Sequence, residues 1–347
     1  MEQPRHETHQ RWICGGFAVL VCFIMLLGSA HEIPQRGVVV INTWPFVNAT
    51  RAGFQVLHGP GGRSRALDAI TRGCNRCESR LQRRDDVGRH DLDGSTMEMG
   101  AVAQLRRIKP AIEVARAVME HSSHSILAGD GALAFAKMMG FEETPLDTAR
   151  SREIHQNWLN NKCQPNYFRN VVGRTPLVRR QSLLRSTSRQ NNVGVESLIS
   201  KQNHDTIGMV VLAENGHMAA GTSSNGATHK IAGRVGDASV PGAGAYVDSS
   251  IGGAAATGDG DVMMRFLPSF FAVQEMKKGA HPRKACERAL HRIAAVYPHF
   301  LGGMVCLNQL GEFGGAGYGW DFTYTVQASW MSEPEVVHVT PLSPPSR

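Results

Sequence analysis

The chain of 347 residues lacks most of the short patterns that announce a cofactor or a nucleic-acid partner. It has no Gly-Lys-Ser/Thr phosphate loop, and no G-x-G-x-x-G fingerprint follows an early strand, so its glycines fit neither of these nucleotide-binding patterns. Its one Cys-x-x-Cys, Cys74 to Cys77, stands without a second pair or a His pair at ligand spacing. Zinc is therefore unsupported there. His121-Ser122-Ser123-His124 lacks the carboxylate that would complete a metal-ligand set. No internal repeat is visible, charged residues are sparse at 19%, and aromatics stop at 7%. A net charge of +7 would suit an anionic partner. Much of the excess, however, sits in Arg169, Arg174, Arg179, Arg180, Arg185, Arg189 and Lys201, among Ser, Asn and Gln and without interleaved aromatics. Residues 171–203 therefore read as a solvated, flexible linker and not as a nucleic-acid face.

The long apolar run Trp12–Leu27 follows Arg5 and Arg11 and precedes Gly28-Ser29-Ala30. Basic flank, apolar stretch and small residues predict a secretory signal peptide over 1–30, with an uncleaved anchor as the alternative. Asn48-Ala49-Thr50 then qualifies as a glycosylation acceptor. In an oxidising compartment Cys286, on a helix-like segment, and Cys306, on the next strand-like one, make the best disulfide pair. Cys74 and Cys77 read as a structural half-cystine and a leftover thiol.

Strand signals lie at 38–42, at 207–213 and 217–223 around Glu214-Asn215-Gly216, and at 304–307, 314–318 and 322–327. Helical spacing marks 66–77, 107–120, 131–139 and 281–296, and a helix from about 259 to 278 that Pro268 would kink. Glycine numbers 37 and clusters after Gly208, which favours strands, tight turns and backbone-lined sites. The Pro- and Ser-rich tail from 333 to 347 is expected to be disordered.

The most telling stretch is His204-Asp205-Thr206-Ile207-Gly208-Met209, where a polar segment breaks into an apolar strand. Scission at Asp205–Thr206 would give Thr206 both a hydroxyl nucleophile and an α-amine whose ordinary pKa lies near 8, low enough to act as base. Asp205 would assist as the adjoining carboxylate. Arg234 and Asp237, in Gly233-Arg234-Val235-Gly236-Asp237, carry the opposite charges needed to clamp an α-amino acid head, or else a surface ion pair. Thr257-Gly258, between an apolar strand and a helix, suits an oxyanion hole or a helix cap. Ser224 is placed to hydrogen-bond the nucleophile, but Asn225 stands where a serine elbow needs its closing glycine. Asp259 and Asp261 read as helix caps.

Together, HDTIGM, GRVGD and Ala256-Thr257-Gly258-Asp259-Gly260-Asp261, with Asn42-Thr43-Trp44-Pro45-Phe46, Leu105–Lys109 and Asn166–Asn170, resemble the glycosylasparaginase (aspartylglucosaminidase) family of N-terminal nucleophile hydrolases. The resemblance implies an α+β, four-layer αββα sandwich made as one precursor. Self-cleavage would give an α chain of residues 31–205 and a β chain of 206–347. Thr206 would attack the side-chain amide of glycoasparagine, Arg234 and Asp237 would hold the aspartyl head, Thr257 and Gly258 would form the oxyanion hole, and Trp44 would lie near the pocket. It further implies dimers of αβ units in lysosomes, no cofactor and no metal. Two alternatives remain, a plain asparaginase or isoaspartyl peptidase and a non-catalytic secreted relative. The second rests on residues 80–91, which are short and charged where the family carries a glycine-rich stretch and a strand. Cysteine partners for Cys77 and Cys163 are missing as well.

Overall fold

The computed structural model describes residues 37–58, 64–78, 87–164, 166–168 and 204–343. The expected signal peptide and linker, and the side chain of Asp205, lie outside the described residues. In chain order the elements begin with β1 (Val39–Thr43), α1 (Val47–Leu57), α2 (Ser64–Glu78), β2 (Val87–Asp93), β3 (Met99–Leu105) and α3 (Ala111–His121). Next come β4 (Ile126–Ala128), α4 (Gly129–Met138), α5 (Ala149–Asn160), β5 (His204–Leu212), β6 (Met218–Ala227) and β7 (Ala245–Asp248). The chain continues through β8 (Gly252–Gly258), α6 (Gly260–Met263), α7 (Pro268–Lys277), α8 (Pro282–Ala294), β9 (Gly302–Asn308), β10 (Phe313–Tyr318), β11 (Phe322–Ala328) and β12 (Glu335–Val339).

The strands form an eight-stranded sheet, ordered β12-β11-β1-β5-β6-β2-β3-β4, and a four-stranded one, β10-β9-β8-β7. Alternate residues of a strand face opposite ways, so an apolar strand can serve two cores. Ile41, Val210 and Leu212 pack with Ala255, Val305 and Phe322 between the sheets. Their neighbours Val40, Met209 and Val211 pack against Phe54 of α1 and Ile70 of α2. On the small sheet, Ala254, Met304 and Cys306 meet Val273 of α7 and Leu290 of α8. Gly208 makes the close approach of β5 to β8 possible: a Cβ there would lie 2.8 Å from Ala255 Cβ and 3.2 Å from the Ala256 carbonyl. The protein is thus a mixed α+β fold.

Four readings of the sequence are corrected. A strand does form in the charged stretch: β2 pairs antiparallel with β3 and β6. Its Arg89, His90 and Asp91 are all buried, so no apolar alternation announces it. The tail is not all disordered, since β12 pairs along β11 at the edge of the large sheet. Pro334 and Pro341 lie just outside β12, where a lost backbone donor costs little. The expected kinked helix is two helices, α6 and α7, parted by Leu267 in a left-handed conformation, φ 49°. The second predicted helix begins after Pro110 and not at Arg107. Helices α1 and α5 and strands β3, β4 and β7 are additions.

Candidate active site

Chemistry-bearing side chains gather where β5, β6 and β8 end. Thr206, in β5, is only 5% exposed, and its Oγ1 lies 2.8 Å from Ser224 Oγ on β6. Ser224 Oγ accepts the Gly226 N–H at 2.8 Å, which fixes the hydroxyl beside the threonine. The β5–β6 register shifts between Asp205 and Thr206. Such a bulge bends the strand and takes the peptide out of the regular ladder.

Thr257 and Gly258 end β8. The fully buried Thr257 Oγ1 accepts a 3.0 Å hydrogen bond from Trp44 Nε1. An indole N–H can only donate, so the threonine hydrogen is left for another acceptor. Trp44 has φ 68°, unusual for a bulky residue. It is held by Thr323 O and Thr325 Oγ1 on its backbone and by the edge-on rings of Trp320 and Phe322 at 5.2 and 5.3 Å. Gly258 has φ 138°, and a Cβ there would meet Leu301 O at 2.3 Å, so only glycine fits. Asp259 caps α6 by accepting the Val262 N–H, as expected of it. Behind Gly258 stands this single turn and not the long helix the sequence suggested.

Arg234 and Asp237 converge on Gly260, where a Cβ would lie 2.4 Å from Asp237 Oδ1 and 3.2 Å from Arg234 Nη2. They do not pair with each other. Arg234 instead binds Asp261, through Nη2 at 3.0 Å and Nε at 3.2 Å. Asp261 is therefore an ion-pair partner and not a second cap. Asp237 is buried, and its Oδ2 has no hydrogen-bond partner among the described residues. Burial pushes its carboxyl up to about 6, against the opposing pull of Arg234. A buried carboxylate oxygen left this way awaits a cationic donor. Gln104 braces the loop, donating to the Arg234 carbonyl and accepting the Gly233 N–H, each at 3.0 Å. A cleft lined by Gly88, Gln104, Ser224, Lys230, Arg234 and Gly236 opens here.

The sequence missed the Trp44–Thr257 bond, the Arg234–Asp261 pair and Gln104. Only Asp261 carried a signal, as a charge beside Asp259. Away from the site, Cys286 on α8 and Cys306 on β9 form a disulfide. Asn48 is exposed on the first turn of α1, while the Thr50 hydroxyl is buried and donates to Asn42. Among the described residues no cluster of three His, Cys, Asp or Glu converges to hold a metal.

The family model described as Asparaginase matches residues 90–335. The chain is 45% identical to the N(4)-(Beta-N-acetylglucosaminyl)-L-asparaginase of Rattus norvegicus over 310 residues, covering 86% of this chain and 88% of the relative. It is equally identical to the mouse protein of that name over 311 residues, with the same coverage. A probable isoaspartyl peptidase/L-asparaginase 3 of Arabidopsis thaliana is 40% identical over 353 residues, covering 93% of this chain and 97% of the relative.

Proposed function

The chain belongs to the Asparaginase family, and from that premise we propose that it is a self-processing threonine amidohydrolase that cleaves glycoasparagine to aspartate and an amino-sugar. The observation that carries the reading is the Thr206–Ser224 hydroxyl pair, set at the register shift between Asp205 and Thr206. In the precursor, Thr206 Oγ attacks the Asp205 carbonyl carbon. The C–N bond breaks, the nitrogen takes the proton, and an ester joins Asp205 to Thr206. Water hydrolyses that ester, leaving a carboxylate on Asp205 and an amine on Thr206.

Turnover reuses the same atoms. The amine accepts the hydroxyl proton as Oγ attacks the side-chain amide carbon of the substrate. The oxyanion takes hydrogen bonds from the Thr257 hydroxyl, freed by Trp44, and from the Gly258 N–H. The proton passes to the leaving nitrogen, the amino-sugar departs, and water releases aspartate from its β-aspartyl ester. Arg234 receives the substrate α-carboxylate. Asp237 receives the α-ammonium, the donor its unpartnered oxygen needs. The layered packing supports the αββα sandwich, with α chain 31–205 and β chain 206–347. Two αβ units pair, Asn48 carries a glycan, and the enzyme works in lysosomes, as proposed by resemblance.

Formation of β2 removes the ground for a non-catalytic reading. The plain asparaginase or isoaspartyl-peptidase reading is favoured by the Arabidopsis relative. Side-by-side assays of glycoasparagine, asparagine and a β-aspartyl dipeptide decide between them. Preferred turnover of glycoasparagine supports the proposal, and turnover of only the other two overturns it.

A further inference from the structure

Strand β2 buries a histidine that the mechanism above does not use. His90 is fully buried at the face of β2 toward β7 and the turn Asp237–Ser239. Its Nδ1 lies 2.9 Å from the Ala238 carbonyl and 3.0 Å from Thr222 Oγ1, and its Nε2 lies 3.2 Å from the Ala245 carbonyl. Thr222 Oγ1 itself donates to the Ala238 carbonyl at 2.6 Å. With that hydrogen spent, Nδ1 meets two oxygens and needs a proton of its own. Nε2 faces a carbonyl and needs one too. A neutral ring has one N–H, so it leaves a lone pair against a carbonyl oxygen; only the imidazolium satisfies both ends.

The oxygens that His90 grips belong to the loop that presents Asp237. Ala238 is the next residue and Ala245 opens β7 at the far end of the loop, so the ring bridges both ends, beside the backbone bond from the Gly244 N–H to the Asp237 carbonyl at 3.1 Å. Thr222 also lies two residues from Ser224 on β6.

We propose that His90 is a pH-responsive positioning residue for substrate binding: as imidazolium it clamps Ala238 and Ala245 and fixes Asp237, and as neutral imidazole it releases one clamp. The proposal rests on the reading of Asp237 as the holder of the substrate ammonium. Burial lowers the ring below its usual 6.5 while the two carbonyls oppose it, so the switch falls in the acidic range. Among the described residues no charged side chain acts on the ring. The turn contributes Asp237 and β7 contributes Tyr246 and Asp248; β6 faces it with Thr222 and β3 pairs it with Ala101. Arg89 and Asp91 project to the other side of β2, where Arg116 and Glu120 of α3 act on Asp91.

The test compares His90→Gln and His90→Phe with the unaltered, processed protein. L-Aspartate binding is measured by calorimetry, and KM and kcat for glycoasparagine are measured from about pH 4.5 to 7.5. Titration of Asp237 and of the ligand is common to all three proteins and cancels in the variant-to-parent ratio. At the acidic end, His90→Phe should weaken aspartate binding and raise KM by about tenfold, with kcat changed far less. His90→Gln keeps one uncharged donor. It should be weaker than the parent in acid and match it near pH 7.5. A ratio independent of pH, or a loss in kcat without a change in KM or aspartate affinity, overturns the proposal. Processing into two chains confirms that each variant folds. Aspartate binding by a parent that does not hydrolyse glycoasparagine would count against the proposed activity and leave the His90 comparison readable.

Discussion

Strands β5 and β2 flank the same neighbour, β6, yet they are built on opposite principles. From Ile207 to Leu212, β5 is apolar on both faces, glycine aside, and just before that run it carries the proposed nucleophile, Thr206. Strand β2 buries Arg89, His90 and Asp91 in succession and carries no group that touches substrate in the proposed mechanism. Arg89 donates to the Ser224 carbonyl, and His90 holds the loop of Asp237. In the proposed mechanism one strand therefore supplies the reacting atom on a rigid apolar mount. The other acts through residues it holds in place.

The sharpest way to break that contrast is Thr206→Ala. If β5 supplies the nucleophile for both steps, this change abolishes chain cleavage and lowers turnover by about 10⁴-fold or more, read from a denaturing gel and a glycoasparagine assay. Retained activity would end the distinction between the strands. Next in size is Trp44→Phe, which keeps the ring but removes the hydrogen bond that orients Thr257. It should lower kcat by about tenfold to a hundredfold with little change in KM. A pure KM effect would instead place Trp44 among the substrate contacts.

The smallest expected effect on activity comes from β2 itself. Among the described residues both Asp91 oxygens lack hydrogen-bond partners, and burial, opposed by Arg116, pushes its carboxyl up to about 7. In the unfolded chain an aspartate titrates near 4. The folded state therefore binds the extra proton between those values. Its contribution is intact below about pH 4 and is lost as pH rises through about 7, to a total on the order of 4 kcal/mol. Asp91→Leu should leave kcat nearly unchanged and remove this loss, so that unfolding by urea at about pH 8 needs more denaturant than for the parent. An equal midpoint for the two proteins at that pH would show that Asp91 is not held neutral.

The same contrast explains what was legible in the sequence. An apolar run after a polar break exposes β5, and Asn215-Gly216 exposes its hairpin with β6, because burial and turn chemistry leave local marks. Strand β2 hides because its burial is satisfied by long-range partners such as the Ala238 carbonyl, 148 positions away. The strand in the tail hides because an edge position tolerates exposure and flanking prolines. At the site, residue types and spacings raised Thr206, Ser224, Thr257, Arg234 and Asp237 as candidates, and the family resemblance gave them their roles. Pairings across the fold, Trp44 with Thr257 and Arg234 with Asp261, have no local signature at all.

The central claim is that a new N-terminal threonine is both nucleophile and base. N-terminal sequencing of catalytically active material tests it directly. The account predicts two chains, one beginning Thr206-Ile207-Gly208. Active protein in which the Asp205–Thr206 peptide bond is still intact would contradict it.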